Sequence, residues 1–313
     1  MAHVWAEMAV VALVAGVVGF FVVMRGATFA AHTLPQGAFT GAAGASLAGV
    51  GTAPGAAAFS ILAVLALARW GRRGRHDVVT ALVLVMLLAT GSLFLSLGSQ
   101  YANETYSLLF GDPVAATTGD LAPTAAAGAV CIAFCLVMQR RFLLSSLDDE
   151  LARARGVAPR VTELAFLAVL GAATTLALPI VGALLVFSLM IGPPAAARTL
   201  SSRPGMALLL SATFSLLTGW AALAGSYWTN WPIGFFVGVL GAAWYALGRL
   251  VSGRSGRRLQ ARGAGPRAGT GHQTGPRRGP EIWSEHEEPV RVKRLGRHGP
   301  RAGVPRSAGV WQP

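Results

Sequence analysis

Charge is what this sequence has least of. Only 12% of its 313 residues are Asp, Glu, Lys or Arg, and lysine is nearly absent. A soluble domain carries roughly twice that fraction, so a solvated globular surface is excluded. Acidic residues are almost nil inside the apolar segments, which disfavours a carrier driven by an intramembrane carboxylate relay. No glycine-rich loop runs into a Lys-Ser or Lys-Thr pair, so the chain has no phosphate cradle with which to hydrolyse ATP itself. The only cysteines, Cys131 and Cys135, share one apolar run, and no disulfide framework follows. Their spacing of one helical turn suits a soft-metal pair, but the plainer reading is two small buried residues. No catalytic constellation stands out, because His3, His32 and His76 are whole segments apart or sit near segment ends.

What is present is apolar length. Hydrophobic residues make up 53% of the chain, and the mean hydropathy is +0.55. Apolar runs of about 17 to 23 residues recur up to residue 250, the length that crosses a bilayer core. The 39 glycines suit helices packed closely in lipid. These features predict an all-α polytopic transmembrane helical bundle of about 8–9 spans, since no alternation or turn spacing reads as a barrel. The net charge of +13 belongs mostly to the end of the chain: from Gly253 onward there are 13 basic and 4 acidic residues, which leaves +4 for the rest. Residues 1–252 therefore read as the membrane domain. Residues 253–313 read as a disordered Gly/Pro/Arg-rich cytoplasmic tail that anionic membrane lipid can attract. Nothing suggests the folded basic face that a nucleic-acid partner would need.

Taken in order, the predicted spans are Trp5–Met24, Gly26–Val50, Gly55–Ala68, Val78–Leu97, Leu121–Met138, Val161–Ala177, Val181–Ala197, Met206–Ser226 and Ile233–Leu247, with Pro179 breaking the sixth. Basic residues follow the odd-numbered spans, and the one sizeable loop after an even-numbered span is acidic. The charge bias predicts a plasma-membrane protein with its N-terminus outside and its C-terminus cytoplasmic. It also sends the segment Ser145–Arg160, SSLDDELARARGVAPR, to the cytoplasm. Here Ser146 reads as an N-cap, acids fill the first turn, arginines follow, and Gly156 is the stop. A capped helix between two spans reads as a docking element where an energised partner can push.

Several local patterns resemble the zinc/manganese/iron permease family of ABC importers. Arg25 and then HTLPQGAFTG, His32 to Gly41, resemble the family's stretch after its first span. Leu109, Phe110, Gly111 and Asp112 match its L-F-G-D, and Asp120 matches a following Asp. Asp148, Glu150, Ala152 and Gly156 match its D-x-E-x-A-x-x-x-G. Val181, Gly182, Leu184, Leu185, Val186, Pro193, Ala195 and Ala197 match its V-G-x-L-L-V…P-x-A-x-A. The resemblance covers residues 5–250 and implies a membrane subunit without its own ATPase, paired with itself or a sister permease. It implies a cytoplasmic ABC ATPase that uses the ATP, an extracytoplasmic metal-binding protein, and a transported divalent metal with no resident cofactor. Asp148, Glu150, Ala152 and Gly156 would form the ATPase-coupling helix, and Glu104, Asp112 and Asp120 the acidic segment that faces the receptor.

The chain departs from the family pattern on the metal path. Aligning Gly41 with the family glycine puts His32 at an Asp position and Gln36 at a His position. Both remain the expected path residues, because polar side chains at the entrance of a span favour a cavity over lipid. Other readings of the whole chain are a permease for a siderophore or other metal chelate, a secondary carrier or channel, and a membrane assembly factor.

Overall fold

The structure is a computed structural model that describes residues 2–70, 76–98, 107–111, 119 and 121–263. Ten long or short α-helices and one isolated turn account for nearly all of them, and there is no strand among the described residues. The helices are α1 (Ala2–Arg25), α2 (Thr28–Leu47), α3 (Thr52–Trp70), α4 (His76–Leu97), the single turn α5 at 107–110, α6 (Leu121–Leu147), α7 (Asp149–Ala154), α8 (Pro159–Val181), α9 (Ala183–Leu200), α10 (Pro204–Thr229) and α11 (Ile233–Gly263).

Eight of these are long and apolar enough to cross a bilayer. The ninth long helix, α2, is not, since Thr, Gly, His and Gln dilute its apolar content. It is nonetheless buried from Ala31 through Ala43 apart from His32. A helix lined by protein rather than lipid needs small residues for close approach more than it needs hydrophobicity. The chain thus forms the expected multi-pass bundle, with α2 as an internal helix.

Two helices organise the packing. The most deeply buried apolar helix is α1, which α6, α8, α9 and α10 surround. Its glycines set the distances. A Cβ on Gly16 would lie 2.8 Å from both Ala212 Cα and Ser215 Oγ, and the Ser211 hydroxyl donates to the Gly16 carbonyl at 2.6 Å. Helix α2 is the second centre, packed against α3, α4, α8 and α9. Its Thr33 and Thr40 hydroxyls donate to the carbonyls of Thr80 (3.4 Å) and Leu87 (2.6 Å) on α4. Because α8 and α9 touch both α1 and α2, they join the two groups.

Two expectations are corrected here. Helix α8 runs through Pro179 to Val181 and breaks at Gly182 instead. A proline removes one backbone donor, and a helix held by its neighbours at Ala177, Leu178, Ile180 and Val181, all buried, tolerates that loss. Helix α6 continues past Met138 to Leu147, so Ser146 lies inside it and donates back to the Leu143 carbonyl at 2.7 Å. The cap of α7 is Asp148, described below. Acids are sparse in the apolar segments, and Glu7 on α1, 1% exposed, is the buried one among the described residues. Cys131 and Cys135 are free, buried core residues. The tail beyond Gly263 lies outside the described residues, and α11 carries on across the expected boundary at 252/253.

Candidate functional site

His32 and Gln36 are one helical turn apart on α2, so they share a face. Gln36 is 2% exposed, and its Oε1 has no hydrogen-bond partner among the described residues. The half-buried His32 ring meets Phe187 of α9 edge-on, with centroids 4.8 Å apart, and its Nδ1 is likewise unpartnered. Each unsatisfied buried polar atom costs about 1–3 kcal/mol. Two of them on one face, in a helix whose buried threonines Thr33 and Thr40 both donate to carbonyls, make a small polar opening. A neutral imidazole nitrogen and an amide oxygen can make a brief contact with a divalent cation. They do not make a storage site, and no group of three or more His, Cys, Asp or Glu that could hold a metal exists among the described residues.

At another level of the bundle, α7 is a designed six-residue helix. Asp148 is its N-cap, with Oδ1 accepting from the backbone N–H of Glu150 (2.7 Å) and Leu151 (3.3 Å). Its C-terminus closes in a Schellman motif: Val157 N–H donates to the Ala152 carbonyl (2.9 Å) and Gly156 N–H to that of Arg153 (3.0 Å). Gly156 takes φ +74°, which a glycine adopts without strain. Asp148, Glu150 and Gly156 are exposed, whereas Ala152 is fully buried and seats the helix.

Glu104, Asp112 and Asp120 lie outside the described residues. The neighbouring Leu109 and Gly111 are described, and they bring two of the sequence motifs together. Gly111 (φ +76°) sits against Val181 and Gly182, at the break between α8 and α9. Gly182 (φ +79°) sits in turn against Leu109. The two glycines interlock, and neither has room for a Cβ.

Sequence reasoning missed the group around Arg25. Its guanidinium, 8% exposed, forms an ion pair with Glu163 at the start of α8. It also lies over the Phe166 ring at 4.9 Å and the Phe142 ring at 5.9 Å, and Nη1 donates to the Phe142 carbonyl at 3.5 Å. In the sequence Arg25 reads as an orientation charge, and its partner is 138 positions away. The available signal was Glu163, the single acid of α8. The contact brings the ends of α1 and α6 and the start of α8 together on the side of the bundle that carries α7.

Residues 1–251 match the ABC 3 transport family. The manganese transport system membrane protein MntC of Listeria innocua serovar 6a is 28% identical over 222 residues, which cover 70% of this chain and 79% of that protein. The chelated iron transport system membrane protein YfeC of Yersinia pestis is 27% identical over 217 residues, 69% of this chain and 73% of that protein. Among solved structures, PsaBC from Streptococcus pneumoniae in complex with Fab superposes with a TM-score of 0.74 at 22% identity, over 83% of this chain and 94% of that chain, a likeness of fold.

Proposed function

From the premise that the chain belongs to the ABC 3 transport family, we propose that it is the permease subunit of an ATP-driven importer of divalent metal ions, with His32 and Gln36 on the metal path. The observation that carries this reading is the pair of buried, unpartnered polar atoms one turn apart on α2. An ion moving through the bundle would spend their hydrogen-bonding capacity briefly and then leave. The histidine at the family's aspartate position removes the anionic ligand. That change favours a softer ion, or a metal held in a chelate, over a hard bare cation.

The test is uptake by the assembled transporter in cells that lack other high-affinity metal uptake. His32→Ala and Gln36→Ala are each expected to lower the uptake rate about tenfold, the effect of roughly 1.4 kcal/mol on the limiting barrier. Protein level and ATPase association should stay at wild-type values. Unchanged uptake of manganese, zinc and iron by both variants would remove the site.

The exposed face of α7, with Asp148, Glu150 and Gly156, is the proposed docking point for the cytoplasmic ATPase. Two caps in six residues hold it rigid enough to transmit a push. The acidic segment with Glu104, Asp112 and Asp120 is proposed to face the metal-binding receptor, and the permease to pair with itself or a sister subunit across the path. An N-terminus outside and a C-terminus in the cytoplasm of a plasma-membrane protein fit the Arg25–Glu163 contact, because that contact groups the end of α1 with α7.

Coupling has its own test. A Cβ on Gly156 would meet nothing within 4 Å, so a side chain there clashes with nothing in this protein itself. Gly156→Val forces a β-branched residue to positive φ and puts bulk where the ATPase would bind. It should lose most metal-stimulated ATP turnover while staying folded. Gly156→Asn, which tolerates that φ, should keep more of it. Equal coupling in Gly156→Val and wild type would sink the assignment of α7.

A further inference from the structure

Arg25 touches both helices that adjoin α7. On α6 it meets the Phe142 ring and carbonyl, and on α8 it meets Glu163 and the Phe166 ring. Each contact lies a short way along the chain from α7. Phe142 is six residues before the Asp148 cap, and Glu163 is four residues after Pro159, where α8 begins. The joints are short and closed. Asp148 alone links α6 to α7, and the Schellman turn at Gly156 and Val157 leads through Ala158 into α8.

In the other direction Arg25 leads to the metal path. It ends α1, and only Gly26 and Ala27 separate it from α2. This link is also closed. Gly26 N–H donates to the Val23 carbonyl (3.4 Å) and Ala27 N–H to that of Val22 (3.0 Å). With Gly26 at φ +65° they form a second Schellman turn. The Ala27 carbonyl then accepts from Ala31 N–H (3.0 Å) and starts α2. His32 is the next residue, about 6 Å into α2 at 1.5 Å per residue. A displacement of Arg25 therefore reaches His32 through hydrogen-bonded turns at every step.

Stability alone does not call for a guanidinium here. The buried rings of Phe21, Phe142 and Phe166 already pack edge-on against one another beside it. Apolar side chains in place of a buried ion pair are often neutral or stabilising. What the charge adds is a contact that can open and close. Glu163 is 40% exposed, so water can take its carboxylate while the Phe166 ring keeps hold of the cation.

We infer that Arg25 is a positioning residue for transport: it passes movement of α7, driven by the ATPase, to the His32–Gln36 face of α2. This role rests on α7 being the docking point. Helix α8 also packs on α2 directly. That is a route without the ion pair, and the experiment separates the two.

The experiment measures metal imported per ATP hydrolysed by the assembled transporter in proteoliposomes, with manganese, zinc and iron in turn as the probe. The melting temperature of each variant is taken alongside. Arg25→Leu combined with Glu163→Leu removes the pair and strands no charge. This double variant should still hold the ATPase, yet import about tenfold less metal per ATP than wild type. Arg25→Lys keeps a cation opposite Glu163 and should import more per ATP than the double variant, whatever its melting temperature. Wild-type import per ATP in the double variant overturns the role, as does an Arg25→Lys no better than the double variant. Loss of ATPase binding in the double variant also overturns it, because the pair would then shape the docking surface. Gly156→Val tells this failure from that of the underlying reading. If Gly156→Val is uncoupled while the double variant imports normally, Arg25 fails and α7 stands. If Gly156→Val couples like wild type, or the wild type imports none of the metals, the reading of α7 or of the importer fails and the role of Arg25 falls with it.

Discussion

Gly182→Ala is expected to leave little or no monodisperse protein after detergent extraction. With φ 79° and ψ 159°, Gly182 occupies a backbone region essentially closed to other residues, worth about 1–3 kcal/mol of strain. Packing adds a second penalty of similar size, because an added Cβ would fall 2.6 Å from the Leu109 carbonyl carbon. Neither neighbour can step aside. Leu109 is held by the Gly111 turn, whose own Cβ would lie 2.6 Å from the Val181 carbonyl carbon. Together the two penalties reach about 2–6 kcal/mol, set against a total stability of only about 5–15 kcal/mol. Gly238→Ala is the control. Nothing lies within 4 Å of a Cβ there and φ is ordinary, so extraction yield and melting temperature should match or exceed wild type. A Gly182→Ala protein that melts with the wild type would show that α5 and the α8–α9 break do not interlock.

The second large effect is an asymmetry across the Arg25–Glu163 pair. Removing one partner of a buried ion pair strands the other, at about 3–5 kcal/mol. The two ends are not equally buried, at 8% exposed for Arg25 and 40% for Glu163. Glu163→Leu strands a guanidinium that cannot reach water, and a cost of about 2–3 kcal/mol remains after allowing for the exposed end. Arg25→Leu strands a carboxylate that can turn to solvent, and loses the two ring contacts. Glu163→Leu should therefore lower the melting temperature by about 4–12 °C, and more than Arg25→Leu does. Adding Arg25→Leu to Glu163→Leu should restore part of the loss. Arg25→Lys should not behave as wild type, because an ammonium does not stack on Phe166 as a planar guanidinium does. A double variant no more stable than Glu163→Leu would mean that the pair does not carry the coupling.

Much of the bundle was legible in the chain, and the exceptions have physical causes. Runs of apolar residues located the crossing helices, because lipid demands hydrophobicity wherever it touches. The same rule cannot describe α2, whose surroundings are protein. Its internal position is written in Gly37, Gly41 and Gly44, which meet Ala63, Gly55 and Phe94. The end of α6 was misjudged because helix stability does not stop where hydrophobicity does. Gln139, Arg140 and Arg141 continue the helix beyond the apolar run, and the cap moves from Ser146 to Asp148. Pro179 looked like a terminus because sequence alone does not show which proline has neighbours to hold its helix together. At the candidate site, the spacing of His32 and Gln36 was visible but their lack of partners was not, since satisfaction depends on helices far away in sequence. Arg25 and Glu163 escaped for the same reason.

The deep burial of α1 also bears on how the molecule is made. This helix is synthesised before the helices that enclose it, and the Ser211 hydroxyl that bonds to Gly16 arrives 195 residues later. The α9 segment around Met190 and Pro194 that closes on Gly19 also comes far downstream. During translation α1 waits in the bilayer with its glycine face against lipid, which its high hydropathy permits. Its groove is completed only as α9 and α10 emerge. The nascent chain therefore holds its central helix open while α2 to α8 intervene, and its groove is sealed only by helices made far downstream of it.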